Sequence, residues 1–579
     1  MEMTESSRDD VRVCLSVRIP MRDGIRLNAI LYLPGPGPGP DGDNTPSPAI
    51  FTLTPYVAQT HHEQGIYFAT HGFPFLSVDV RGRGDSEGKF NPIFNDARDG
   101  HDIIEWIAQQ PYCDGQVAMW GGSYMGYTQW AASKEGSPHL RSLVPVASPF
   151  RGGDSPLRTN IFVPYSMQWL TYLWGRTSHD RVFSDQKLWS RRFRKWFEAG
   201  RPFRELDVFL GSPSPIFQEW VSHPYRDAYW DAGNPTPAQY ANLSIPILTI
   251  TGTYDGNQTG ALLHYREHMK NASPANRAQH YLVIGPWDHA GTRIPKLEFA
   301  GVKVGPASLV DLPKLHLDWY AWALQRGEKP SFLKKNVAYY VMGADKWRYA
   351  DTLDEVTARS TPLYLASAAN PTDVFKAGSL IAEDLCSRGS EPKPDSYVYD
   401  PRDVSLATFE STIDPDIRTD HRMIHASAGK LLVYHSERFE QDTEVTGFFR
   451  LLAWIAIDQP DTDFRVSIYE VGLDGTALQL TSDWMRARYR ESLYEEKLVD
   501  TLEPLCYNFE RFTFVSRQIP KGHFLRLVIA PINSIYVQRN FNSGGVVADE
   551  SIDCARPVTV RLFHDASHPS ALYVPLGQP

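Results

Sequence analysis

Near Asp354 the apolar pattern of the chain changes kind and does not change back. Upstream, residues 49–53, 73–80, 116–119, 245–251 and 280–284 form short runs closed by Gly, Pro or charged residues. A run apolar at nearly every position predicts a strand covered on both faces. Between two of these runs, residues 96–109 place Ile103, Ile104, Trp106 and Ile107 at helical spacing after acidic first-turn residues, and strand, helix, strand is the βαβ unit of a parallel sheet. Downstream the long helical patterns disappear. Residues 430–434, 444–457 and 464–470 alternate in β fashion between turn formers, which predicts an all-β sandwich. Two or three domains also follow from length, because 579 residues exceed the roughly 250 to 300 that one core sustains.

Within the upstream part, residues 150–244 turn aromatic and basic with no obvious buried strand, so a helical cap is expected to interrupt one α/β domain. The predicted organisation is residues 1–149 and 245–353 for the α/β domain, 150–244 for the cap and 354–579 for the sandwich. A β-hairpin over residues 17–33, turning at Asp23-Gly24, opens the fold. The Pro-Gly alternation of residues 34–40 reads as a surface loop.

Composition narrows the class. A net charge of -10, with basic residues scattered apart from Arg191, Arg192, Arg194 and Lys195, argues against a nucleic-acid partner. No apolar run reaches about 18 residues and residues 1–17 lack a signal-peptide core, so a cytoplasmic protein without membrane contact is expected. The five cysteines, at positions 14, 113, 386, 506 and 554, are odd in number and lack C-x-x-C spacing; they read as buried free thiols.

Chemistry is expected where the buried strands end. Trp120-Gly121-Gly122-Ser123-Tyr124-Met125-Gly126 follows one strand and precedes a helical stretch, the setting of a nucleophile elbow, in which small residues allow a sharp turn that exposes the serine. A serine capping an ordinary helix is the alternative. Asp255 and His289 follow two further strands, in Gly252-Thr253-Tyr254-Asp255-Gly256 and Gly285-Pro286-Trp287-Asp288-His289. The order Ser, Asp, His is that of α/β-hydrolases, which makes Ser123 the nucleophile, His289 the general base and Asp255 its orienting acid. Asp288 adjoins His289 too closely to reach back to it and reads as a structural residue or salt-bridge partner. This machinery calls for no metal or organic cofactor.

GGSYMG, GTYDG and GPWDH resemble the motifs of the cocaine esterase and X-prolyl dipeptidyl peptidase family of serine hydrolases. The likeness extends to IPMRDGIRLNAILYLP, TPY, DVRGRGDSEG, YVMGADKW, DTDFRVSIYEVGLDG and RARYRES. It implies an α/β-hydrolase domain with a helical cap and a C-terminal jelly-roll sandwich. It also implies an oxyanion hole made by the Tyr56 hydroxyl and the Tyr124 backbone N–H. Where the cocaine-cleaving members carry an aromatic residue in the acyl pocket, this chain has Asn257, so a more polar or larger acyl group is expected.

In the cap, Tyr165, Trp169, Tyr172 and Trp174 form either its own core or an acyl-pocket wall, Trp169 and Tyr172 being the candidates for the wall. Arg83-Gly84-Asp85 spells an adhesion tripeptide but lies in a glycine-rich turn after a strand. His61-His62 lacks the spacing of a zinc helix. The two Asn-x-Ser/Thr patterns, at Asn242 and Asn257, read as coincidence in a cytosolic chain. The leading expectation is a serine carboxylesterase acting on a small-molecule ester or amide through an acyl-enzyme. Peptidase, aminoacyl hydrolase and acyltransferase activities use the same triad and stay open, as do a catalytically silent carbohydrate-binding protein and a homo-oligomer.

Overall fold

The Asp23-Gly24 turn forms where the dipeptide predicts it, with Gly24 at φ 89 and its N–H on the Met21 carbonyl at 2.9 Å. It joins β1 (Arg12–Pro20) to β2 (Arg26–Leu33). The computed structural model describes residues 11–35, 45–92, 94–324, 327–356, 359–382 and 392–576. Residues 1–10, most of the Pro-Gly loop and Cys386 therefore lie outside the described residues.

The uniformly apolar runs become β3 (Ser47–Thr54), β4 (Phe75–Asp79), β5 (Cys113–Gly122), β7 (Ile247–Tyr254) and β8 (His280–Asp288). Three strands were not anticipated: β6 (Leu140–Val146), β9 (Val337–Val341) and β10 (Lys346–Ala350). The sheet runs β1-β2-β4-β3-β5-β6-β7-β8-β9-β10. Neighbours from β4 to β9 are parallel, and the strands at both edges are antiparallel. Helices α1 (His62–Thr70), α2 (Asp96–Ala108), α3 (Tyr124–Ser133), α4 (Tyr165–Tyr172), α5 (Gln186–Ala199), α6 (Gln258–Asn271) and α7 (Leu312–Ala323) accompany it. Every residue of α3 is buried, its polar members included, with the Gln129 carboxamide bonded to the Gly121 and Val144 carbonyls. A Cβ on Gly100 of α2 would stand 2.6 Å from Ala132 Cβ, so glycine there permits the close crossing of α2 and α3.

The segment 150–244 is mainly helical, but it also holds a small hairpin of Leu157–Arg158 with Ile161–Phe162 that the aromatic pattern concealed. Its core gathers Trp189, Phe193, Trp196, Phe217, Trp220 and Trp230 together with Ile535 and Ala548 of the β part, so cap and sandwich share one apolar cluster.

Beyond Thr361 strands dominate, most of them in an 11-stranded sheet. The run predicted over 444–457 divides at Gly447, φ 134, into Thr443–Gly447 and Arg450–Ile457. The DTD and RAR motifs meet inside this part. Asp463 takes Arg486 through two hydrogen bonds of 2.8 and 3.0 Å, and Asp461 takes Arg488 at 2.8 Å. The cysteine expectation needs correction: Cys113 is buried, but Cys14, Cys506 and Cys554 are exposed. Cys14 lies in an exposed stretch of β1, Cys506 faces outward from a strand beside the buried Tyr507, and Cys554 ends a short 3-10 helix with no buried residue.

Candidate active site

β5 runs straight into α3 with Ser123 as the hinge, at φ 63 and ψ -126. That conformation is strained for any residue with a Cβ. Its surroundings hold it there: the Ser123 N–H donates to the Val146 carbonyl at 2.9 Å. A Cβ on Gly121 would stand 2.4 Å from Met125 Cβ, and one on Gly126 would stand 2.8 Å from the Val146 oxygen. The Ser123 hydroxyl makes no capping bond to α3, which disposes of the helix-cap alternative. Tyr124, as the first helical residue, keeps an N–H with no acceptor inside the helix.

Asp255 and His289 follow the neighbouring parallel strands β7 and β8. Gly252 makes the approach of these strand ends feasible, since a Cβ there would lie 2.1 Å from the Trp287 carbonyl oxygen. His289 Nδ1 stands 2.7 Å from Asp255 Oδ1. The carboxylate also accepts the Thr251 hydroxyl at 2.8 Å and the Asn257 N–H at 3.0 Å. Burial by itself would raise the Asp255 pKa, but the His289 ring, the Asn257 N–H and the Thr251 hydroxyl together hold it below the usual carboxylate value. The Asp255 side chain is fully buried while that of His289 is 36% exposed. With Nδ1 committed to Asp255, Nε2 is the nitrogen left for a second partner. Among the described residues neither Nε2 nor the Ser123 hydroxyl has a hydrogen-bond partner, and such contacts tighten once substrate fills a site.

Arg293, which the sequence reading passed over, ties the two turns together. Its Nη2 donates to the His289 carbonyl at 3.3 Å, and its Nη1 lies 3.2 Å from where a Cβ on Gly122 would stand. Asp288 is not the salt-bridge partner expected of it. Its Oδ1 accepts the Gly291 N–H at 2.7 Å, which fixes the turn behind His289, and among the described residues no ion pair involves it.

Tyr56 sits two residues past β3, before Val57 at φ 74, an unusual value for a β-branched residue. The Tyr56 hydroxyl accepts the Trp169 indole N–H at 3.2 Å, which leaves its own proton to donate elsewhere. Its ring stacks on Tyr172 at 5.3 Å. Trp169 also stacks on Tyr124 at 5.7 Å, and the Tyr172 hydroxyl donates to Asp180 at 2.9 Å. Both expected wall aromatics thus meet the Tyr56 and Tyr124 side, whereas Tyr165 and Trp174 are about half exposed. Asn257 is less free than expected: its carboxamide donates to Asp154 at 3.2 Å. Burial pushes the Asp154 pKa up to about 7.

The remaining motifs serve the frame. Arg83 is fully buried and donates to the carbonyls of Pro55, Leu173, Gly175 and Thr177, stitching the Tyr56 loop to the cap; buried so, it is closed to adhesion. His61 is buried against Trp120 and, by burial and then by Arg293, its pKa is pushed down to about 4. Among the described residues no group of three or more His, Cys, Asp or Glu is arranged to hold a metal ion. Among those residues, too, no helix is long and apolar enough to cross a membrane.

Comparison with known proteins agrees along the whole chain. Residues 23–291 match the X-Pro dipeptidyl-peptidase (S15 family) profile, and residues 333–572 match the X-Pro dipeptidyl-peptidase C-terminal non-catalytic domain. The cocaine esterase of Rhodococcus sp. (strain MB1 Bresler) is 27% identical over 591 residues, covering 97% of this chain and 98% of that protein. Among solved structures, an α-amino acid ester hydrolase superposes with a TM-score of 0.80 at 20% identity, over 100% of this chain and 98% of that one. An aminopeptidase from the marine sediment archaeon Thaumarchaeota archaeon gives 0.78 at 21%, with the same coverage. These two establish likeness of fold.

Proposed function

We propose, for a chain that belongs to the X-Pro dipeptidyl-peptidase (S15) family of hydrolases and carries that family's C-terminal domain, that Ser123, His289 and Asp255 cleave an ester through an acyl-enzyme. Nε2 of His289 takes the Ser123 proton as the serine oxygen attacks the carbonyl carbon, and Asp255 holds the imidazole tautomer and its transient charge. The carbonyl oxygen, now negative, is met by the Tyr124 N–H and the Tyr56 hydroxyl as the two donors of the oxyanion hole. Collapse expels the leaving group, which takes the proton from His289. Water then repeats the cycle on the acyl-serine and releases the acid.

The observation that carries this reading is the 2.7 Å pair of His289 and Asp255 beside a serine held at φ 63. An uncapped serine in that conformation has no structural use for its hydroxyl. Small-molecule esters are the favoured substrates, after the likeness to cocaine esterase. Amide and peptide bonds form the second reading, which the S15 description favours. Asn257 acts on acyl choice through Asp154, since its carboxamide is already bound there.

Stopped-flow hydrolysis of a 4-nitrophenyl ester tests the mechanism. An acyl-enzyme predicts a burst of 4-nitrophenol stoichiometric with enzyme wherever deacylation is the slower step. Ser123→Ala should show neither burst nor turnover. Turnover by Ser123→Ala at the wild-type rate would overturn the assignment.

A further inference from the structure

At the junction of cap and sandwich, Arg158 and Arg465 flank one tryptophan with Arg418 within their field, and among the described residues none of the three forms an ion pair. Arg158, in the Leu157–Arg158 strand of the cap hairpin, places its guanidinium 4.6 Å from the Trp484 ring centroid, and Arg465 places its own at 5.0 Å. Arg465 and Trp484 are cross-strand partners, and Trp484 is 9% exposed, packed on Ile161 of the hairpin. Arg418 is pinned beside them by its N–H on the Ala300 carbonyl and by the Gln479 N–H on its own carbonyl, both at 2.9 Å.

Donors outnumber acceptors here. Nε of Arg418, Nε of Arg465 and the Trp484 indole N–H are buried with no hydrogen-bond partner. Among the described residues neither the Arg418 nor the Arg465 side chain makes a hydrogen bond or an ion pair, and Arg158 reaches only Ser482. Of the nearby carboxylates, Asp416 is exposed and lies within the field of Arg418 without an ion pair among the described residues, and three others are already bonded. Asp483 accepts the N–H groups of Trp484 and Arg511 at 2.7 and 2.9 Å. Glu410 accepts the Ser534 hydroxyl at 2.6 Å and the Ile535 N–H at 2.9 Å. Asp154 accepts N–H groups of Phe150 and Gly260, both at 2.8 Å. Burial also raises the pKa of all three carboxyls, which weakens them as counter-ions. The three arginines are half-buried, but the buried Nε–H groups of Arg418 and Arg465 lack an acceptor, and a buried donor left unmet is costly, so the arrangement points to an anion supplied from outside.

The cluster also adjoins the reacting end of the fold. Asp154 lies within the field of Arg158 and holds Asn257, whose N–H is on Asp255. Tyr254, just before Asp255, lies within the field of Arg418. We propose that Arg158, Arg418 and Arg465 bind a carboxylate on the substrate, so that the preferred ester or amide carries a second, ionised carboxyl group, as a dicarboxylic half-ester does. Guanidinium donors pair with carboxylates in a fixed fork geometry. This inference rests on the hydrolase reading above.

The test compares 4-nitrophenyl hydrogen glutarate with neutral 4-nitrophenyl pentanoate, using full-length enzyme. Wild type should favour the charged ester in kcat/KM. Arg465→Gln should lower that preference about 10- to 100-fold, the value of a hydrogen bond to a charged group, and Arg465→Lys by less. Arg418→Gln should repeat the result, which covers a folding failure of the first variant. Glutarate should shield Ser123 from a fluorophosphonate, and neutral glutaramide should not. If Ser123 is labelled but the preference is unchanged in both glutamine variants and glutarate gives no protection, the arginine site falls alone. If Ser123 is never labelled, the hydrolase reading falls with it.

Discussion

Two buried carboxylates in this molecule each hold a basic partner, and they differ in what encloses that partner. Asp463 and Arg486 have side chains 1% and 2% exposed, and Arg486 is further occupied by the Asn160 carbonyl and Gln538. Asp255 is as deeply buried, yet its partner His289 is 36% exposed. A basic group satisfied on every side contributes to the fold alone. One satisfied on a single side keeps a nitrogen free for chemistry, and its carboxylate serves to aim it.

Substituting the two aspartates should separate these roles. Asp255→Asn is expected to lower kcat about 10,000-fold, the loss found when a triad imidazole takes the wrong tautomer, while thermal denaturation shows the fold retained. Asp463→Ala should do the reverse. It is expected to cost about 3 to 5 kcal/mol in denaturant titration, because Arg486 is left charged and unpaired, while the folded fraction keeps the wild-type kcat.

Tyr56→Phe removes one oxyanion donor and should lower kcat about 100- to 1,000-fold, with less effect on KM. Trp169→Phe keeps the stacking on Tyr124 but loses the indole N–H that orients the Tyr56 hydroxyl. About a tenfold loss in kcat is expected, the value of one hydrogen bond, and it should vanish in a Tyr56→Phe background. Full additivity in that double-mutant cycle would break the link.

The smallest effect concerns acid. The folded Asp255 pKa is depressed, so its contribution to stability is complete above the unfolded value and is lost as pH falls through the folded one. Between about pH 5 and pH 3, wild type should therefore lose more stability than Asp255→Asn. Equal acid profiles would show that the pair adds nothing to folding.

Much of this was legible in the residues, and the exceptions have physical causes. Strands β3 and β7 were readable because both faces are buried. β6 was not, since Arg141, Ser142 and Pro145 interrupt its apolar run. The choice of Asp255 over Asp288 was readable from adjacency alone. The partnership of Trp169 with Tyr56 was invisible, because 113 residues separate them and only the docking of the cap brings them together. Arg293 and the junction arginines were hidden for the same reason: an arginine's meaning lies in whether a carboxylate is near, which no local pattern records.

The central claim is that the Ser123 hydroxyl is an activated nucleophile, and peptide-resolved mass spectrometry after fluorophosphonate treatment tests it most directly. The account predicts one adduct per chain, on the peptide bearing Ser123, absent in Ser123→Ala and much slower to form in Asp255→Asn. An unmodified wild-type chain, or an adduct that survives in Ser123→Ala, would contradict it.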